Sequence, residues 1–187
     1  MVKRDKPTVA LFGGSFDPPH KGHQKIVDLA LKSLDIDYLV IMPTYLNPFK
    51  EKWHTPPNIR FKWTQELFED NKKVIVSEYE IEENKSVPTY QSISHLSKIY
   101  SIKYLIIGSD NLKSLTKWYN FEWLNQNITW VIFTRKGYDI DTDRLNSFKI
   151  LDMDIDISST QIRNGSDRCL IDKKILDSVN QFYKGTK

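Results

Sequence analysis

A chain of 187 residues with 40% apolar and 27% charged residues has the make-up of an ordinary globular protein, and 12% aromatic content excludes a disordered one. The net charge of +3 is too mild to single out nucleic acid as a partner and suits a small anionic ligand at least as well. Cys169 is the only cysteine, which fits a reducing cytoplasm, and no apolar stretch is long enough for a signal-peptide core or a membrane span. The length fits one domain over residues 1–187.

Thr8 to Phe12 is an apolar run stopped by Gly13 and reads as a buried strand. From Lys21 the period changes, and Ile26, Leu29, Ala30 and Leu34 recur at helical spacing. Tyr38 to Met42 is a second buried strand, ended by Pro43. Thr44 to Asn58 reads as a long loop of the kind that is usually functional. Ile59 to Glu69 is helical and Val74 to Val76 is a third strand; Glu78 to Lys85 is acidic and reads as a solvated connection. A helix is expected from Thr89 to Tyr100, and Tyr104 to Gly108 is a fourth strand. Helical turns follow over Leu112 to Asn125, then a fifth strand from Thr129 to Thr134. Phe148 to Asp156 is a weaker extended segment, Ile157 to Arg163 opens a helix, and Ile175, Val179 and Phe182 mark a last amphipathic one.

This alternation predicts an α/β fold: a Rossmann-like, doubly wound parallel sheet with helices on both faces. Such sheets bind ligands beyond the carboxyl ends of their strands. The polar clusters sit there: Gly13 to His23, the Thr44 loop, Gly108 to Asn111, Arg135, and Ser158 to Arg163.

The richest cluster is Gly13-Gly14-Ser15-Phe16-Asp17-Pro18-Pro19-His20-Lys21-Gly22-His23. Glycines let backbone N–H groups approach a ligand, and a helix start attracts phosphate. His20 and His23, at i and i+3, share one face of the first turn. Zinc needs a third protein ligand, and Asp17 is the only candidate nearby, so no protein metal site is expected. Late in the chain, Ser158, Ser159 and Thr160 can cap a helix and offer hydroxyl and N–H groups, with Arg163 one turn on.

These two segments resemble the paired signatures of the nucleotidylyltransferase superfamily, HxGH (His20-Lys21-Gly22-His23) and ISSTxIR (Ile157 to Arg163). The resemblance implies ATP bound by Gly13, Gly14, Ser15, Phe16, His20, His23, Gly108, Asp110, Ser158, Ser159, Thr160 and Arg163. It implies catalysis by His20, His23 and Arg163, and Mg²⁺ carried by the ATP phosphates. The set Gly108-Ser109-Asp110-Asn111, Trp118-Tyr119 and Arg135-Lys136-Gly137 is similar to the nicotinate-nucleotide adenylyltransferases. That likeness implies ATP and nicotinate mononucleotide as partners. The mononucleotide would meet Lys50, Thr89, Tyr90, Trp118, Tyr119 and Arg135, its ring stacked on Trp118 and its carboxylate held near Thr89. Two departures stand out: Asn47-Pro48-Phe49-Lys50 replaces a PPHK-like segment, and of the family's Ser-Tyr-Thr with a following Asp, Thr89-Tyr90 keeps part while Gln91 and Ile93 replace the Thr and the Asp.

Other acceptors, nicotinamide mononucleotide or phosphopantetheine, share the terminal motifs. A non-catalytic nucleotide-binding domain is disfavoured by the intact histidines and Arg163. A nucleic-acid-binding relative of the HxGH synthetases is disfavoured by the mild charge and by the lack of a KMSKS-like loop. No nucleic-acid or membrane partner is expected, and self-association into a homo-oligomer stays open.

Overall fold

The computed structural model describes residues 6–135, 137–153, 157–165 and 168–184. Its centre is a six-stranded sheet in the order β3-β2-β1-β4-β5-β6, with every pairing parallel. The strands are β1 Thr8–Gly14, β2 Tyr38–Pro43, β3 Val74–Val76, β4 Ser101–Gly108, β5 Thr129–Phe133 and β6 Phe148–Leu151. The helices are α1 Lys21–Ser33, α2 Pro57–Phe68, α3 Tyr79–Glu82, α4 Thr89–Leu96, α5 Phe121–Asn127, α6 Ser159–Arg163 and α7 Lys173–Lys184. A 3-10 stretch, Ser109–Lys117, leaves β4 directly. Among the described residues, no helix is long and apolar enough to cross a membrane.

The continuous apolar runs form strands because both faces of the sheet are covered. Alternate residues of β1 point to opposite sides. Ala10 and Phe12 pack with Ile26, Val27 and Ala30 of α1 and with Leu67 and Phe68 of α2. Val9 and Leu11 pack with Ile93 and Leu96 of α4 and Leu124 of α5. A third cluster joins Trp63 of α2, Ile162 of α6, and Ile175 and Val179 of α7. Through it the late part of the chain leans on the half of the sheet that starts with β1.

The strand order reverses between β1, which continues to β2, and β4 on its other side. β1 runs through both glycines, because Gly13 and Gly14 still pair with Met42 and Pro43. Gly108 closes β4 at the neighbouring carboxyl end. The crevice expected of this topology opens there.

Three local expectations need correction. The extended segment at Phe148 ends as a strand at Leu151, and residues 154–156 lie outside the described residues, as does Lys136. The Thr89 helix stops at Leu96. The acidic run at Glu78 is not a solvated connection: it folds into α3, and Glu80 is buried.

Candidate active site

The crevice is a cleft of about 580 Å³ at the carboxyl ends of β1, β2 and β4. Its floor is the glycine turn after β1. Phe16 adopts a left-handed backbone (φ 47°), held by burial of its ring against Phe12 and His23. Such a conformation costs about 1–3 kcal/mol and persists where packing over-determines it. A Cβ on Gly14 would sit 3.1 Å from the Phe16 ring and would have to push that buried ring aside by a few tenths of an ångström.

The histidines brace each other. His20 caps α1, and its Nδ1 accepts from the Gly22 N–H at 3.2 Å. The His23 Nδ1 accepts from the His20 N–H at 3.1 Å. The rings lie 3.8 Å apart, centre to centre. Because each Nδ1 is an acceptor, each neutral ring carries its proton on Nε2 and offers that N–H as a donor. Gly22 is part of the device: a Cβ on it would meet His20 Nδ1 at 2.9 Å. Burial, then the charge of Arg135, pulls His20 down to about 3; burial, then His20 and Arg135, holds His23 well below its ordinary value. Both rings are neutral donors at neutral pH.

The second motif is stitched to the first across the chain. Ser159 Oγ donates to the Pro18 carbonyl at 3.0 Å, although the two residues are 141 apart in sequence. Arg163 donates from one terminal nitrogen to the Asp17 carbonyl and from the other to Thr160 Oγ1 at 2.9 Å. Ser158 and Gln161 cap α6 reciprocally, so the Ser158 hydroxyl is committed within the protein. Ser158, Ser159, Thr160 and Arg163 line the same cleft as Gly13, Gly14, Ser15, Phe16 and His23.

Gly108 and Asp110 form the β4 corner. Asp110 folds back so closely that a Cβ on Gly108 would overlap its Oδ1. Asp110 Oδ2 accepts from Arg135 at 3.2 Å, and the Arg135 N–H donates to Ser109 Oγ at 3.0 Å. Arg135 thus lines the cleft beside Gly108 and Asp110, and its charge acts on both histidines. Thr89, Trp118, Tyr119 and Lys50 do line the cleft. Tyr90 is not brought to it: its ring packs edge-on to Tyr119 and Trp123 in the core beside α5.

Sequence reading missed two buried charged residues. Arg60 donates to the carbonyls of Thr55 (3.0 Å), Thr44 (2.7 Å), Tyr45 (2.9 Å) and Ser15. One guanidinium thus clamps the exits of β1 and β2. The signal was available: Arg60, Trp63, Thr64 and Leu67 share one helical stripe, and Arg60 lies on its buried side. Glu80 accepts from Ser92 Oγ at 2.6 Å, and its second oxygen, Oε2, has no partner. Burial pushes its carboxyl up to about 7, against the Ser92 bond and the Arg60 charge. Nothing in the run Glu78 to Glu83 distinguishes Glu80 from its neighbours.

Asp17 lines the cleft and is buried. Its carboxylate accepts from Tyr183 Oη (3.0 Å) and from the Thr55 N–H (3.4 Å). Among the described residues, no three His, Cys, Asp or Glu side chains gather as a metal site.

The strand order, and a histidine-capped helix facing a Ser-Thr-Arg helix start across one cleft, define a nucleotidyltransferase-type α/β protein. The cytidylyltransferase-like family model matches residues 11–165. A Sulfurovum sp. (strain NBC37-1) protein named probable nicotinate-nucleotide adenylyltransferase is 55% identical over 187 residues, covering 100% of both chains. A protein of the same name from Sulfurimonas denitrificans is 43% identical over 95% of each chain. The fold is shared with a Plasmodium falciparum nicotinic acid mononucleotide adenylyltransferase solved with NaAD, at TM-score 0.75 and 19% identity, over 95% of this chain and 97% of that one. The chain belongs to the cytidylyltransferase-like family, and within it to the nicotinate-nucleotide adenylyltransferases.

Proposed function

We propose that the chain transfers the adenylyl group of ATP to nicotinate mononucleotide, forming nicotinate adenine dinucleotide and pyrophosphate in NAD biosynthesis. An oxygen of the acceptor's phosphate attacks the α-phosphorus as the bond to the β-phosphate oxygen breaks, so no covalent enzyme intermediate is required. Both partners are anions, so positioning and charge stabilisation carry the catalysis. The observation that carries this reading is the reciprocal histidine pair at the start of α1, with two Nε2–H donors fixed by backbone bonds.

In this mechanism His20 and His23 donate to oxygens of the triphosphate, and Arg163 holds the departing β- and γ-phosphates. Gly13 and Gly14 make room for the nucleotide, and Asp110 meets its adenosine part. Trp118 stacks on the pyridine ring, and Lys50 reaches the acceptor from the cleft rim. The nucleotide phosphates, rather than a protein carboxylate, would carry Mg²⁺, which would supply charge neutralisation for the leaving pyrophosphate; the Asp17 carboxylate accepts from Tyr183 and Thr55, and that of Asp110 from Arg135. The exposed thiol of Cys169 suits a cytoplasmic setting.

The test is pyrophosphate release from ATP with nicotinate mononucleotide, nicotinamide mononucleotide and phosphopantetheine supplied in turn. The acid should be turned over best, and only with Mg²⁺ present. Release with none of the three would overturn the reading.

A further inference from the structure

Among the described residues, three buried side-chain polar atoms lack a partner: Thr44 Oγ1, Glu80 Oε2 and Trp118 Nε1. All three residues line the cleft. Buried polar atoms are almost always paired, and an unpaired one carries the full cost of leaving water. Three such atoms lie on residues that line one cavity, so a bound ligand's donors and acceptors would count most there. None belongs to the histidine, Ser-Thr-Arg or Gly108 clusters.

Thr44 and Glu80 stand at the same end. Thr44 directly follows β2, and Glu80 lies four residues beyond β3, the strand beside it. Arg60 links them, since it donates to the Thr44 carbonyl and its charge acts on Glu80. Ser92 holds the other Glu80 oxygen, which fixes the carboxyl beneath the start of α4. Glu80 is only 5% exposed.

On the reading that the acceptor is nicotinate mononucleotide, chemistry selects the part of it that fits. The ribose diol suits the Glu80 carboxyl in either protonation state, because its two hydroxyls both donate and accept, whereas the pyridine carboxylate and the phosphate oxygens only accept and would leave the ionised form unpaired. Thr44 Oγ1 also donates and accepts, and so matches a diol.

We propose that Glu80 and Thr44 form the seat for the ribose hydroxyls of the acceptor nucleotide, making them binding residues for the sugar. The test compares kcat/KM for nicotinate mononucleotide and for its 2′,3′-dideoxyribose analogue, with ATP saturating. A site built to hydrogen-bond a hydroxyl strongly rejects an analogue that lacks it, so the wild-type protein should prefer the natural acceptor by about 100-fold. In Glu80→Gln, and separately in Thr44→Val, that ratio should fall to about tenfold or less. Thr44→Val removes only a hydroxyl and keeps the shape, so it decides the matter should Glu80→Gln fail to fold. If both variants slow the two acceptors equally, the pair is structural and the proposal fails. It fails too if Glu80→Gln changes only the preference for acid over amide mononucleotide, since the carboxyl would then face the ring substituent. A wild-type protein that uses neither acid nor amide would take down the function reading and this proposal together.

Discussion

The two ends of the cleft are built on opposite plans. At the phosphate end the working side chains are fixed by protein partners: each imidazole is held by a backbone N–H, Arg163 is anchored to Asp17 and Thr160, and Ser158 and Gln161 cap each other. At the acceptor end Thr44, Glu80 and Trp118 each leave a buried atom unpartnered. A group that must stabilise charge in a transition state works best when it needs no reorganisation, so its neighbours fix it beforehand. A group that discriminates between acceptors works best when only the right ligand relieves it. The first plan serves rate and the second serves choice.

Substitutions should therefore separate into effects on kcat and effects on KM. The largest expected change is His23→Ala, which removes one preorganised donor; kcat should fall by about two to three orders of magnitude, with a smaller change in the KM for ATP, in a steady-state pyrophosphate assay. An unchanged kcat would remove His23 from the transition state. Next is Arg60→Met, which leaves four carbonyls without their shared donor. Chemical denaturation should show a loss of about 2–3 kcal/mol, and the KM for both substrates should rise, since the clamp spans both strand exits. A third substitution, Trp118→Ala, should raise the KM for the mononucleotide about tenfold and that for ATP by less than twofold. Equal shifts would assign Trp118 to packing against Trp130 alone, and would weaken the contrast between the two ends.

The smallest expected effects concern pH, and here the two ends should pull in opposite directions. His20 titrates at about 3 when folded and near its ordinary 6.5 when unfolded, so the unfolded chain binds the extra proton between those values. Its contribution to stability is complete above 6.5 and is lost as pH falls toward 3. Glu80 runs the other way: with a folded value of about 7 against 4.5, its contribution is present below 4.5 and is lost as pH rises through 7. The melting temperature of Glu80→Gln should lose less between pH 4.5 and 7 than that of the parent. His20→Asn should flatten the acid side.

The sheet was legible because its signal is local. Runs such as Leu39 to Met42 and Leu105 to Ile107 are apolar without interruption, and only a strand covered on both faces calls for that. The phosphate end was legible for a similar reason: Gly13 to His23 is contiguous, and its internal bonds span two or three residues. The acceptor end was not. Glu80 is held by Ser92, twelve residues later, and feels the charge of Arg60 on another helix, so its own run of acids reads as solvated. Tyr90 shows the converse error. It sits next to Thr89 in sequence, but its ring packs between Tyr119 and Trp123 and does not line the cleft itself.

The Tyr183 hydroxyl that meets Asp17 and Thr55 has a consequence for synthesis. The turn after β1 is made before its side-chain supports, which come from α2, α6 and then α7. A nascent chain can therefore have translated its glycine turn and both histidines long before it can hold them in working geometry. Competence to bind nucleotide should arrive late and all at once, when α7 docks, rather than accumulate as the strands emerge.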